Sequence, residues 1–116
     1  MSDNVIFFGW NRSIPGREQM SGTEFQSFTA YLVGLQQEGA IASFEVVLLS
    51  PHGGDLNGFF LIRGGADQLD ALQASEAWMG YLTRAGLHLE GAGEIRGVTG
   101  NMVMEWMSRW MKAIPN

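Results

Sequence analysis

The sequence predicts an α+β protein with the element order β-α-β-β-α-β and one further helix at the end. Three observations predict it. An apolar run rich in β-branched and aromatic residues, 5–10, is followed by a Pro-Gly break and then by apolar residues at helical spacing. Two more β-rich runs flank the loop Ser50-Pro51-His52-Gly53-Gly54-Asp55. A second helical stretch follows, interrupted near Ser75, and after it comes a glycine-containing strand.

Each element has a local reason. Residues 5–12 form a strand that starts apolar on both faces, and such a strand is covered on both sides. Ile14-Pro15-Gly16-Arg17 ends it. The spacing of Phe25, Phe28, Tyr31, Leu32 and Leu35 predicts a helix over 23–38, capped by Ser21 or Thr23, with Glu24 in its first turn. Gly39 is suited to ending it in the left-handed conformation. In the strand 41–50, Phe44, Val46 and Leu48 share one face, and Ser43, Glu45, Val47 and Leu49 share the other. The next strand, 59–63, stops at Gly64-Gly65. Asp67 caps a short helix over 68–74. The apolar stripe of that helix does not extend through Trp78 and Met79. A new start with Ser75 as N-cap restores one through Ala77, Trp78, Tyr81, Leu82 and Ala85, ending at Gly86. The last strand, 87–98, is twisted or bulged at Gly91 and Gly93. Thr99 or Asn101 caps a final helix. On it Met102, Val103, Trp106, Met107, Trp110, Met111 and Ile114 occupy at least half of the circumference. So wide a stripe needs cover, because each large apolar side chain gains roughly 1.5–3 kcal/mol on burial.

Composition narrows the function classes. A chain of 116 residues is expected to be a single domain over 1–116, with its core in 5–98 and a helical extension at 100–114. Charged residues make up 16%, below the typical ~25%, which favours a partner over part of the surface. The net charge is -5, with Lys112 the sole lysine and the arginines scattered. No basic stripe is available for phosphates, so nucleic acid is excluded as a partner. An acidic membrane surface repels such a chain, and no segment approaches the ~20 apolar residues of a span. The lack of cysteine excludes disulfides, thiolate catalysis and cysteine-held metal. Met1-Ser2-Asp3-Asn4 carries no basic leader segment, so a cytoplasmic protein is expected.

The strand over 5–12, the turn Pro15-Gly16-Arg17-Glu18 and the helix–hairpin–helix–strand order through Val98 resemble the dimeric α+β barrel group of ferredoxin-like proteins. That group holds antibiotic-biosynthesis monooxygenases and YciI-like proteins. The resemblance is one of pattern and covers most of the chain. It implies a four-stranded antiparallel sheet with helices on one face. The other face would meet its twin in a homodimer and close a barrel. It also implies a pocket that binds or oxidises a small apolar or aromatic molecule without a tightly held cofactor. The helix after Val98 is an addition to the minimal pattern. In haem-degrading members of the superfamily an asparagine near the end of strand one, a tryptophan and a later histidine carry function. Asn11, Trp78 and His88 match them in order. Haem would then be held by His88, with Asn11 as a hydrogen-bond donor and Trp78 against the porphyrin. One departure is that His88 falls on an expected strand, whereas the family ligand sits on a helix.

The residues themselves suggest other constellations. His88 and Glu90 alternate on the expected last strand and share a face, and Glu45 joins them if its face points inward. Imidazole beside carboxylate is an acid–base pair or part of a metal site. An interior salt-linked cluster with Arg12 or Arg96 accounts for the same residues. His52 lies in a glycine-rich loop that admits close approach of a ligand, although a hairpin turn explains those glycines equally. Trp10, Trp78, Tyr81, Trp106 and Trp110 line an apolar pocket, or else serve core and dimer contacts. Gly91-Ala92-Gly93 with Gly97 misses the dinucleotide-binding spacing. No HExxH, Walker loop or nucleophile elbow is present.

The expectations are therefore these. His88, Asn11 and Glu45 are the catalytic candidates, and Trp10, Arg12, Trp78, Tyr81, Glu90 and His52 are the pocket candidates. A homodimer binds a small apolar molecule and needs no cofactor. The alternatives are a non-catalytic dimerisation module and a haem-binding or haem-degrading protein.

Overall fold

A computed structural model describes residues 3–115; Met1 and Ser2, at the start expected to lack a leader, and Asn116 lie outside them. The first apolar run forms β1 (Asn4–Trp10). It is flanked antiparallel by β4 (Gly58–Gly64) and β6 (Gly93–Val98), with β3 (Ser43–Leu48) outside β4. The sheet order is β3-β4-β1-β6. Alternation divides its residues between two faces. Ile6 opposes Ile62, Phe8 opposes Phe60 and Trp10 opposes Gly58 on one face, while Val5, Phe7 and Gly9 oppose Arg63, Leu61 and Phe59 on the other.

Three helices cover the first face. They are α1 (Glu18–Gln37), α2 (Ala66–Gln73) and α3 (Glu76–His88). Phe28 and Leu32 from α1, Leu69 and Leu72 from α2, and Trp78 from α3 join the sheet in one core. Trp78 is fully buried, and its indole N–H donates to Glu94 Oε2 at 2.8 Å. The arrangement is the ferredoxin-like α+β fold, two layers deep. On the helix-free face Phe7 stacks on Phe59 at 4.8 Å.

Several boundaries differ from expectation. α1 begins at Glu18 rather than at residue 23, and Arg17 supplies no side-chain cap. Its opening turns bury little, so they carry no stripe, and Ser21 lies inside the helix instead of capping it. Gly39 does end this helix, with φ +79°. At α2 the cap is made by Gln68, whose Oε1 accepts from the Gly65 N–H at 2.7 Å, and Asp67 sits in the first turn. Ser75 caps α3 as expected, accepting from the Trp78 N–H at 3.3 Å.

The largest correction concerns Gly86. The helix passes through it to His88, because its last carbonyls find partners outside the helix. The Arg17 guanidinium donates to the Leu87 carbonyl, and the Ile14 N–H donates to the His88 carbonyl at 2.7 Å. The expected last strand is correspondingly shorter. A two-residue strand β5 (Leu89–Glu90) pairs with β2 (Arg12–Ser13), and Gly91, at φ +67°, separates it from β6. A Cβ at Gly91 would stand 3.3 Å from that of Asn11, so a side chain there meets both strain and crowding.

The final helix, α4 (Asn101–Ala113), buries none of its residues.

Replacing Trp78 by Ala empties the middle of the core and strips Glu94 of its indole partner. The expected loss is about 3–5 kcal/mol, measured by urea unfolding. A loss under ~1 kcal/mol would contradict a central packing role.

Candidate functional site

Where β1 ends, the sheet and helices α1 and α3 enclose a pocket of about 290 Å³, close to the lower end of the ~300–1,000 Å³ common for small-molecule sites. Trp10 forms one wall. Its cross-strand partner is Gly58, where an added Cβ would lie 2.6 Å from the indole ring. The missing side chain therefore lets the ring lie across the neighbouring strand. Trp10 sits 5.7 Å from Phe60, and Phe28 meets Phe60 edge-on at 4.9 Å. Phe8, Phe25 and Tyr81 complete the aromatic lining. On α1, Gly22 lines the same space, and a Cβ added there meets nothing within 4 Å.

The polar side of the pocket holds Ser13, Ser21, Glu24 and His88. His88 is the last residue of α3 and only 4% exposed. Its Nδ1 lies 2.7 Å from Ser21 Oγ, and the Ser13 hydroxyl donates to that same oxygen at 2.5 Å. The Ser21 hydroxyl either donates to Nδ1 or accepts from it, according to which ring nitrogen carries the proton. Among the described residues Nε2 bonds no protein group, yet it is not a sealed, unpartnered atom. Its free side is the pocket. Burial pushes the His88 pKa below its ordinary value of 6.5, and the Glu24 charge opposes this more weakly. Glu24 accepts from Arg84 Nε at 2.9 Å, and the Arg84 guanidinium lies 4.6 Å over the Tyr81 ring. The pocket thus presents aromatic walls and one neutral imidazole, whose Nε2 can exchange a hydrogen bond with a bound molecule.

Of the residues singled out in the sequence, Trp10, Tyr81 and His88 line this pocket. Trp78 lies in the core. Asn11 holds a turn: Asn57 Nδ2 donates to its Oδ1 at 2.8 Å and to its carbonyl at 2.7 Å. Asn11 and Trp78 therefore do not meet His88 in one cavity, and the arrangement needed for haem is not assembled. Glu45 lies on the helix-free face and accepts from Arg63 Nη1 at 2.7 Å, while Glu90 pairs with Arg12 at 3.3 Å. The expected alternation of His88 with Glu90 fails because His88 is helical. Among the described residues no three His, Asp or Glu gather as metal ligands. His52 stays on its exposed loop, with Nδ1 3.1 Å from the Ser50 carbonyl. Ser13, Ser21, Gly22 and Glu24 were missed as pocket residues. Ser21, Phe25 and Phe28 fall at i, i+4 and i+7, a signal that becomes readable once the helix is begun before residue 23.

No protein-family model and no curated protein matches the chain. Solved structures do resemble it. A dimeric protein of unknown function and ferredoxin-like fold from Bacteroides fragilis NCTC 9343 has 14% identity and a TM-score of 0.57, covering 83% of this chain and 96% of the other. A dimeric ferredoxin-like protein of unknown function from Thermobifida fusca yx has 11% identity and a TM-score of 0.58, covering 85% and 93%. A putative antibiotic biosynthesis monooxygenase from Chloroflexus aurantiacus J-10-fl has 10% identity and a TM-score of 0.54, covering 84% and 94%. At these identities the likeness is one of fold. Among the described residues no helix is long and apolar enough to cross a membrane.

His88 gives the folded state a pH dependence of known sign. Its folded pKa lies below its unfolded one, so the unfolded chain binds more protons as pH falls through 6.5. This group's contribution to stability is intact above 6.5 and is lost as pH drops through the lowered folded value. Chemical unfolding at pH 7.5 and at pH 5 should show the decline, and His88→Gln should flatten it. An equal decline in the variant would assign the effect to other groups.

Proposed function

We propose that this protein is a homodimer of ferredoxin-like domains, each with its core in 5–98 and a helical extension at 100–114, that binds a small, neutral, apolar or aromatic molecule between sheet and helices. One observation carries the reading: a pocket of about 290 Å³ with aromatic walls and a single buried imidazole at its polar end. The ligand stacks among Trp10, Phe25 and Phe60 and hydrogen-bonds with His88 Nε2. Oxidation of that ligand is an extension of the reading, drawn from the name of the Chloroflexus aurantiacus neighbour.

The homodimer rests on two supports. Two of the fold neighbours are dimeric. The helix-free face carries Phe7, Phe59 and Leu61, with Ile95 64% exposed beside them, and a sheet face of that chemistry favours cover. A non-catalytic dimerisation module is the second reading, favoured by the bare apolar surface of α4.

Two measurements test these statements. Naphthalene added to the protein should quench indole fluorescence with saturation. Gly22→Leu should fill the pocket and weaken that binding at least about tenfold, equivalent to ~1.4 kcal/mol, with the melting temperature held. Unchanged affinity would place the ligand elsewhere. For the dimer, Leu61→Glu should give a folded monomer in sedimentation experiments, and a dimer of undiminished stability would remove the sheet face from the interface.

A further inference from the structure

α4 leaves the body of the protein at a fixed angle. The Thr99 N–H donates to the Asp3 carbonyl at 2.7 Å. Gly100 follows with φ +59°, and a Cβ there would stand 2.7 Å from Asp3 Oδ1. The elbow is a close fit that directs the helix outward. The molecule measures 54 × 37 × 22 Å with a radius of gyration of 15.9 Å, against roughly 13 Å for a compact chain of this length. Trp106, Met107, Trp110 and Met111 are 47%, 47%, 60% and 59% exposed. A lone helix of 13 residues is marginal in water, where ~12–15 residues is the threshold. Its helical state and its apolar side both call for a surface that the described residues of its own chain do not provide.

We infer that α4 is an exchanged arm, its Trp/Met face seated on a second copy of this chain. The proposal rests on the homodimer reading and deepens it. Charge favours this occupant. The arm carries Arg109 and Lys112 against Glu105, a net of +1, so the rest of the chain carries -6. A slightly basic arm is drawn to the acidic body of a second copy. Area favours it too. A standard interface hides ~800 Å² per partner; Trp106 and Trp110, 47% and 60% exposed, each bring roughly half of the ~150–250 Å² of a whole aromatic side chain, and the exposed methionines of the same face add to it. Two-fold symmetry uses the same contact twice, as closed dimers do.

The test is hydrogen exchange on the full chain across a dilution series, with sedimentation to fix the dimer dissociation constant. Amides over 101–113 should be protected in the dimer and exchange freely in the monomer produced by dilution or by Leu61→Glu. Trp106→Ala with Trp110→Ala should raise the dissociation constant about tenfold or more. Met111→Asp, on the same face, should act in the same direction. An unaltered dissociation constant in both variants, or amides that exchange alike in monomer and dimer, overturns the arm while leaving the sheet-face dimer standing. A wild-type chain that is monomeric at every concentration overturns both. Protection of these amides only on phosphatidylglycerol vesicles assigns the cover to lipid and overturns the proposal.

Discussion

β1 lies between β4 and β6, and its apolar residues point both ways. That position is the constraint on which the architecture depends. Ile6 and Phe8 require a helical layer on one side, and α1, α2 and α3 supply it. Val5 and Phe7 point away from those helices. The same strand therefore specifies a packed core and leaves an apolar sheet face behind it. A small antiparallel sheet has no third layer of its own to hide that face.

The pocket follows from the end of this strand. Beyond Trp10 the chain bends at Asn11, pairs briefly through Arg12 and Ser13, and enters α1. That short detour brings Ser13 and Ser21 to the end of α3. There the backbone bond from Ile14 and the guanidinium of Arg17 receive the helix's last carbonyls. One junction thus does two things. It extends α3 through Gly86, and it sets His88 against Ser21 with its free edge toward the aromatic walls. A neutral imidazole is compatible with such walls, because burial disfavours its charged form.

The two ends of the chain contrast in the same terms. At the β1–α1 junction, hydrogen bonds and burial leave side chains with defined neighbours. At the Thr99–Gly100 elbow the backbone is defined, but the side chains beyond it meet solvent. The apolar periodicity of α4 is the strongest in the sequence and has the least cover in the fold, which is why its cover is sought in another molecule.

The sequence by itself determined the order of elements, the break at Ser75, the stop at Gly39 and an irregularity at Gly91, which proved to be a break between two strands and not a bulge within one. These follow from interactions within a few residues: apolar spacing, side-chain caps and glycine's access to positive φ. It also marked Trp10, Tyr81 and His88 as residues of interest. Only the tertiary structure decided what they do. Whether Gly86 stops a helix depended on Arg17 and Ile14, far away in the chain. That in turn removed His88 from the face of Glu90 and gave it to Ser21. Glu45, Glu90 and Asn11 were legible as polar groups, but their partners Arg63, Arg12 and Asn57 lie across strand pairings and loop contacts. Local periodicity carries no information on which distant group will meet a given side chain. Packing between elements supplies it.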